Sequence, residues 1–216
     1  MTGFREQLRT TLPFTTDIYE FVISKKAMLP SGKKFDSLAK QGRPIKLDLG
    51  GADSGKGGWT TVDMTKQCDI YWDLRLPVPL PDSSVSKIYS SHLFEHLTFS
   101  QGQGLLAESL RLLKPGGTFS ICVPNARIYV EHYLGIKEVP SDYFGWTPAF
   151  NSTTSIDAIN YVAYMDGEHK YMFDQENLLH ILALAGFDDV KVRDFDTETD
   201  RPEREYESLY AIATKP

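Results

Sequence analysis

The sequence has little that would commit it to a disulfide framework, a membrane or a nucleic acid. It holds two cysteines, Cys68 and Cys122, in 216 residues. No CxxC pair occurs, so neither a disulfide scaffold nor a thiolate zinc site is encoded. Each cysteine falls in an expected strand, where a free thiol packs as a small apolar group. No apolar run approaches the length of a membrane span. The opening residues Met1-Thr-Gly-Phe-Arg-Glu6 contain no apolar stretch of the kind a secretory signal needs, so a reducing cytoplasm is the expected compartment. Basic charge is not in excess. A net charge of -6 argues against nonspecific binding to nucleic acid or to an anionic membrane. No internal repeat is visible. What is present is a 41% hydrophobic and 24% charged composition, that of a soluble globular protein. The length fits one α/β domain, residues 1–216, with a sizeable core.

Periodicity places the elements. Ile18, Phe21, Val22 and Met28 recur at helical spacing over 14–28, with Thr15, Thr16 and Asp17 as capping oxygens. Residues 30–44 are rich in Lys, Gly and Ser and read as a loop. Residues 1–44 are therefore expected to form an N-terminal helical extension. Strands are expected at 45–50, 60–64, about 69–73, 85–91 and 119–123. Leu76-Pro-Val-Pro-Leu-Pro81 must be loop, because proline lacks the N–H that helix and central strand both use. Gln101 to Lys114 reads as a helix with Leu105, Leu106, Leu110 and Leu113 on one face, stopped by Pro115-Gly116-Gly117. Gln175 to Ala185 is a second helix, and Val190–Phe195 with Leu209–Ala213 is expected to close the sheet as a hairpin. Residues 125–173 break the alternation. Tyr129, Tyr133, Tyr143, Trp146, Tyr161 and Tyr171 stand there among glycines and prolines, which suggests an irregular aromatic-rich insertion or lid. It would serve as a local core, an oligomer contact or a wall for a ligand, so a homodimer is left open.

The stretch Ile45-Lys-Leu-Asp-Leu-Gly-Gly-Ala-Asp53 carries the most information. Apolar residues alternate up to Asp48 and then meet Gly50-Gly51. A tight turn at the carboxyl end of a buried strand is where open α/β sheets bind ligands. Trp59-Thr-Thr-Val-Asp63 reads as a second strand ending in a carboxylate, which can accept two hydrogen bonds from a ribose diol. Two decoys overlap these segments. Gly50 to Lys56 has the spacing of a phosphate-binding P-loop, but Gly57 stands where Ser or Thr would hold magnesium, and Gly57-Gly58 cannot open the helix that binds phosphate. His92-Leu-Phe-Glu95-His96 has the spacing of an inverted zinc-protease motif, yet it follows a strand of what looks like a nucleotide-binding fold.

Downstream order extends the pattern. Cys68-Asp-Ile-Tyr-Trp-Asp73-Leu74 is followed by Leu80 to Ser91, by His92-Leu-Phe-Glu-His96-Leu97, and by Leu112-Leu-Lys-Pro-Gly-Gly117-Thr-Phe-Ser-Ile121. Over residues 45–124 this series resembles the class I S-adenosylmethionine-dependent methyltransferases, with a weaker echo at Ala185-Gly-Phe187. The tail from His169 to Phe187 is similar to methyltransferases of bacterial surface-polysaccharide and natural-product pathways. Ala52 and Ser54 depart from the glycines usual in the first loop, and little or no helix is expected between the first two strands.

The resemblance implies a Rossmann-like α/β fold, with a seven-stranded mostly parallel sheet, helices on both faces and an antiparallel final hairpin. It implies S-adenosyl-L-methionine as cofactor. Asp48 would orient the Gly50 loop or meet the methionine ammonium, and Gly50 and Gly51 would let the cofactor lie against the turn. Asp63 would bind the ribose hydroxyls. Asp73 would accept from the adenine amine, with the Leu74 N–H pairing to a ring nitrogen, and Ser91 and His92 would line the far side. Met64 is also expected to touch the cofactor. His96 is the expected base, with Glu95 beside it, since imidazole is half available near neutral pH. No resident metal is expected, although His92, Glu95 and His96, together with His169, carry the donor types that could instead hold a divalent ion. The acceptor is expected to be a small molecule, best matched by a sugar or glycan hydroxyl or amine. An aromatic or lipid-like acceptor, or a binding module without catalysis, are the alternatives.

Overall fold

The computed structural model describes residues 28–53, 55, 57–140, 143–146, 149 and 153–216. The helix expected over 14–28 lies almost wholly outside them. A seven-stranded sheet runs in the order β3-β2-β1-β4-β5-β7-β6. Its strands are β1 (Ile45–Leu49), β2 (Thr60–Asp63), β3 (Ile70–Tyr71), β4 (Val85–Ser91), β5 (Leu113–Pro124), β6 (Asp188–Val192) and β7 (Ser208–Thr214). The pairs β3-β2, β2-β1, β1-β4 and β4-β5 are parallel, and β5-β7 and β7-β6 are antiparallel. The order reverses at β1, so the crevice outside the carboxyl ends of β1 and β4 is the switch point where such sheets bind ligands. This is the expected Rossmann-like class I methyltransferase fold.

The central strands are buried on both faces. Leu47, Leu49, Val62, Val85, Ile88, Phe119, Ile121 and Val123 belong to one continuous core. The polar residues between them are spent on local bonds, as where the Ser90 hydroxyl donates to the Leu49 carbonyl at 3.0 Å.

Among the described residues the longer helices are α1 (Ser31–Lys40), α2 (Phe99–Leu112), α3 (Ala126–Tyr133), α4 (Ile156–Tyr164) and α5 (Gln175–Leu184). In α2, Thr98 and Gln101 form a reciprocal capping box, which sets the start two residues earlier than the leucine spacing alone suggests. Leu105, Leu106 and Leu112 are then buried against the sheet.

Three expectations need correction. Residues 31–40, read as loop, form α1. Only Phe35 and Leu38 supply its apolar face, too few for a periodic signal, yet both are buried and Phe35 stands edge-on to Trp72 at 5.5 Å. Each such burial contributes about 1.5–3 kcal/mol, enough to hold a short lysine-rich helix. The irregular insertion contains α3 and α4, which pack a small core of their own from Ala126, Tyr129, Tyr143, Ala158, Tyr161 and Val162. α2 ends at Leu112, before the expected Lys114, and Pro115-Gly116-Gly117 lies inside β5, which starts at Leu113. The last two strands are antiparallel neighbours, as expected. Residues 193–207 connect them and end in a 3-10 turn over Pro202–Glu207.

That connection is pinned to the sheet by a buried carboxylate. Asp200 receives Arg193 Nη1 at 2.5 Å and Nη2 at 2.7 Å, and the Tyr89 hydroxyl at 2.9 Å.

Candidate active site

β1 delivers Asp48 and the glycine turn to the crevice. Gly50 has φ +84, and its N–H donates to the Val62 carbonyl at 3.0 Å, tying the turn to β2. A Cβ at Gly50 would sit 2.9 Å from the Leu93 Cβ. At Gly51 a Cβ would sit 2.6 Å from an Asp48 carboxylate oxygen. Gly50→Ala is therefore expected to lose about 1–2 kcal/mol from the left-handed backbone alone, before the Leu93 clash is counted. Denaturant titration checks this; an unchanged midpoint would contradict the turn geometry.

Asp48 is largely buried. Desolvation pushes its carboxyl up to about 6, Arg201 pulls it back and Asp63 pushes it further up. Asp63 closes β2, and its Oδ1 accepts from the Thr65 N–H at 2.8 Å. Met64 follows it, nearly half exposed. The long turn from Gly50 to Trp59 is held from below by a residue that motif reading passed over. Asp69 Oδ2 accepts from the Gly55 N–H at 2.9 Å, the Thr61 N–H at 3.0 Å and the Thr61 hydroxyl at 3.1 Å. No helix occurs between β1 and β2 among the described residues.

Asp73 and Leu74 follow β3 at the far edge of the same crevice. Asp73 is buried and braced by its neighbour Arg75, with Nε to Oδ1 at 2.9 Å and Nη2 to Oδ2 at 2.8 Å. Its burial raises the carboxyl, but the hydrogen bonds and charge of Arg75 outweigh this and hold it below the usual value. Asp48, Gly50, Gly51 and Asp63 are thus gathered at the ends of β1 and β2, with Asp73 beyond β3.

Ser91 ends β4, and His92 follows with φ 50. That left-handed turn drops the chain into a short 3-10 segment, Phe94–His96, and places three titratable side chains against one cavity. Glu95 is fully enclosed, and neither of its carboxylate oxygens has a hydrogen-bond partner. Burial raises it to about 8. The His92 Nδ1 lies 3.4 Å and the His96 Nε2 3.9 Å from Glu95 Oε1. Burial lowers His92 to about 3, and its Nε2 is 2.8 Å from the Ser208 hydroxyl. Burial also lowers His96, less strongly.

A third imidazole joins from the insertion. His169 stacks edge-on against His96 with ring centroids 5.0 Å apart. A register link holds them together, since the Lys170 N–H donates to the Glu95 carbonyl at 2.7 Å.

The cavity measures about 300 Å3 and is walled by Tyr129, Trp146, Tyr161, Met165, Arg204 and Glu207 in addition to the histidines. Arg204 and Glu207 belong to the 193–207 connection. The Tyr129 hydroxyl donates to Glu207 at 2.8 Å, and the Tyr143 hydroxyl donates to the Tyr206 carbonyl. Insertion and connection therefore close on one another over the carboxyl ends of β4 and β5. Sequence reasoning missed Arg201, Arg204 and Glu207. The only signal was the run of alternating charge from Asp194 to Glu207, which resembles an ordinary solvated loop.

A family model described as "Methyltransferase domain" matches residues 62–121. That span runs from the end of β2 through β5 and includes His92, Glu95 and His96. The chain carries a methyltransferase domain over this span. The fold agrees: a S-adenosylmethionine-dependent methyltransferase from Archaeoglobus fulgidus superposes with a TM-score of 0.50 at 20% identity, over 91% of this chain and 100% of that one. Phosphoethanolamine N-methyltransferase 2 of Haemonchus contortus, in complex with S-adenosyl-L-methionine, matches at TM-score 0.48 and 15% identity, over 99% of this chain and 60% of that one. The 1,6-didemethyltoxoflavin-N1-methyltransferase of Burkholderia thailandensis matches at 0.47 and 16%, over 98% and 87%. No curated protein matches the chain. A methyltransferase domain on this fold implies S-adenosylmethionine as cofactor. No helix among the described residues is long and apolar enough to cross a membrane.

Proposed function

We propose that this methyltransferase moves the methyl group of S-adenosylmethionine onto a hydroxyl or amine of a small sugar-like acceptor held in the 300 Å3 cavity. The observation that supports this most is the cavity wall. The rings of Tyr129, Trp146 and Tyr161 line it together with the carboxylates of Glu95 and Glu207. Such a wall suits a ligand with C–H faces to stack and hydroxyls or ammonium groups to bond. The cavity begins at His92, one residue beyond β4, and the cofactor crevice ends at Gly50, against Leu93. A methyl group at the crevice mouth would face the cavity. Both cysteines are free thiols, in keeping with a reducing cytoplasm.

Each residue then has a task. Asp63 accepts from the ribose hydroxyls through the oxygen that Thr65 leaves open. Asp48 meets the methionine ammonium, and Gly50 and Gly51 let the cofactor lie against the turn. Asp73, braced by Arg75, keeps a lone pair on Oδ2 for the adenine amine, with the Leu74 N–H meeting a ring nitrogen and Met64, next to Asp63, also touching the cofactor. Ser91 and His92 border the cofactor on the β4 side. The sulfonium methyl is already electrophilic, so the protein's work is alignment and proton removal. His96 and Glu95 handle that proton. His96 Nδ1–H donates to the Glu168 carbonyl at 3.1 Å, which leaves a lone pair at Nε2 facing the cavity.

The Asp48 assignment predicts a pH dependence. Its carboxyl is raised to about 6, so it is neutral below that value and charged above it. Only the charged form attracts an ammonium. Cofactor affinity should therefore weaken as pH falls through about 6. Asp48→Asn should bind weakly throughout and lack this step in calorimetry. A variant that keeps the step would contradict the assignment.

The acceptor class is tested by incubating the enzyme with S-adenosylmethionine and separate panels of amino sugars, hexoses, phenols and fatty acids, measuring S-adenosylhomocysteine released. Turnover confined to the sugar panels is expected. Turnover only with phenols or fatty acids would overturn the sugar assignment and leave methyl transfer standing.

A further inference from the structure

The cluster at the cavity floor is short of donors: among the described residues beside Glu95, only His92 Nδ1, 3.4 Å away, is placed to donate to the carboxylate. The Nδ1–H of His96 donates to the Glu168 carbonyl, and that of His169 to the Val162 carbonyl at 2.8 Å. A carbonyl can only accept, so both rings carry their proton on Nδ1 and present a lone pair at Nε2. Between them stands Glu95, enclosed, with both oxygens unbonded. One ligating atom from each of Glu95, His96 and His169 lies within 4.8 Å of the others. Three lone-pair groups converging about a fully buried carboxylate is unfavourable unless a cation joins them. A proton on Glu95 supplies one donor only, and His96 Nε2, at 3.9 Å, is beyond its reach.

We infer that Glu95, His96 and His169 bind a divalent first-row transition-metal ion through one carboxylate oxygen and two imidazole nitrogens. The donor set is that of a site with open positions, in which imidazole favours ions such as Zn2+ or Co2+ over Ca2+. The backbone carbonyls on both Nδ1 atoms are the usual outer partners of metal-bound histidine, and they orient the rings before the ion arrives. Ligands on a tetrahedral ion with bonds of about 2.1 Å stand about 3.4 Å apart, so a small inward turn of the side chains closes the set. His92 is not a ligand, contrary to what the sequence spacing allows. Its Nε2 is engaged by Ser208 and its Nδ1 faces Glu95 at 3.4 Å, so it steadies the carboxylate. Arg204 opposes a cation here and Glu207 offsets it; both line the same cavity.

This deepens the proposed function and rests on it for placing the ion beside the acceptor. His96 then acts through the ion. An acceptor hydroxyl reaching an open position would release its proton more readily, as metal-bound water does, with the Glu207 carboxylate on the same cavity to receive it.

The test uses the full chain, stripped with chelator and reloaded with Zn2+ or Co2+. The expected result is one ion per chain by elemental analysis, with visible absorption for the Co2+ form. Glu95→Gln and His169→Ala should lose the ion, while His180→Ala, at an exposed histidine of α5, should retain it. Glu95→Gln keeps the shape of the protonated side chain, and an unchanged thermal shift with S-adenosylhomocysteine shows that it is folded. A stripped wild type that takes up no Zn2+ or Co2+, or a Glu95→Gln variant that binds as well as wild type, overturns the site. If S-adenosylhomocysteine binds but no ion does, the metal inference fails and methyl transfer survives. If the ion binds as described but S-adenosylhomocysteine does not, the methyltransferase reading fails and the metal site stands.

Discussion

His96→Ala is expected to lower turnover by about 10²–10⁴ while leaving affinity for S-adenosylmethionine nearly intact. The imidazole lines the cavity proposed for the acceptor, and the residues assigned to the cofactor lie at the ends of β1, β2 and β3. Its removal takes away either the group that receives the acceptor's proton or a ligand of the ion that lowers that proton's pKa. Both routes predict a kcat effect. Chelator separates them, since only the second route loses wild-type activity on stripping. The His96 side chain is 38% exposed, so its loss should cost the fold little. Steady-state kinetics with a fixed acceptor make the measurement. A folded variant with near-normal turnover would remove the Phe94–His96 segment from the chemistry.

Asp63→Ala should act on the other half of the reaction. A hydrogen bond to a charged acceptor contributes about 1.5–3 kcal/mol, so losing a pair of them to the ribose diol should weaken cofactor binding at least about tenfold. Asp63 also holds the Thr65 N–H, at the first residues of the turn after β2. Asp63→Asn separates the two roles. It keeps an oxygen for Thr65 but loses the charge, so it should retain stability and still bind weakly. Equal affinity in wild type and Asp63→Ala would sink the ribose assignment.

Much of this architecture was legible because it depends on local signals. The alternation Ile45, Leu47, Leu49 ahead of Gly50 marks a buried strand and its turn, and no distant residue is needed to read it. Leu105 and Leu106 mark α2 in the same way, although it ends at Leu112 and Pro115-Gly116-Gly117 lies inside β5. Where the decisive contact was distant, the sequence was silent. α1 is held by Phe35 and Leu38 against a strand edge, and its lysines dominate the local composition. The 193–207 connection looks like solvated charge until Asp200 is seen buried between Arg193 and Tyr89.

The site follows the same division. His92, Glu95 and His96 are adjacent in sequence and were found together. Their relationship to a cation depends on His169, which is brought in by the Lys170 to Glu95 backbone bond, and on Ser208, which withdraws His92 from the set. Spacing suggested His92 and His96 as a pair on one helix face. The left-handed residue at His92 and the short 3-10 turn give a different geometry, in which His92 Nδ1 lies 3.4 Å from the Glu95 carboxylate while its Nε2 meets Ser208.

The most direct measurement of the central claim is a calorimetric titration of S-adenosylhomocysteine into the purified wild-type chain and into Asp63→Ala. One site per wild-type chain, with binding at least about tenfold weaker in the folded variant, is the predicted result. No binding to the wild type, or the same affinity in both, would contradict the account.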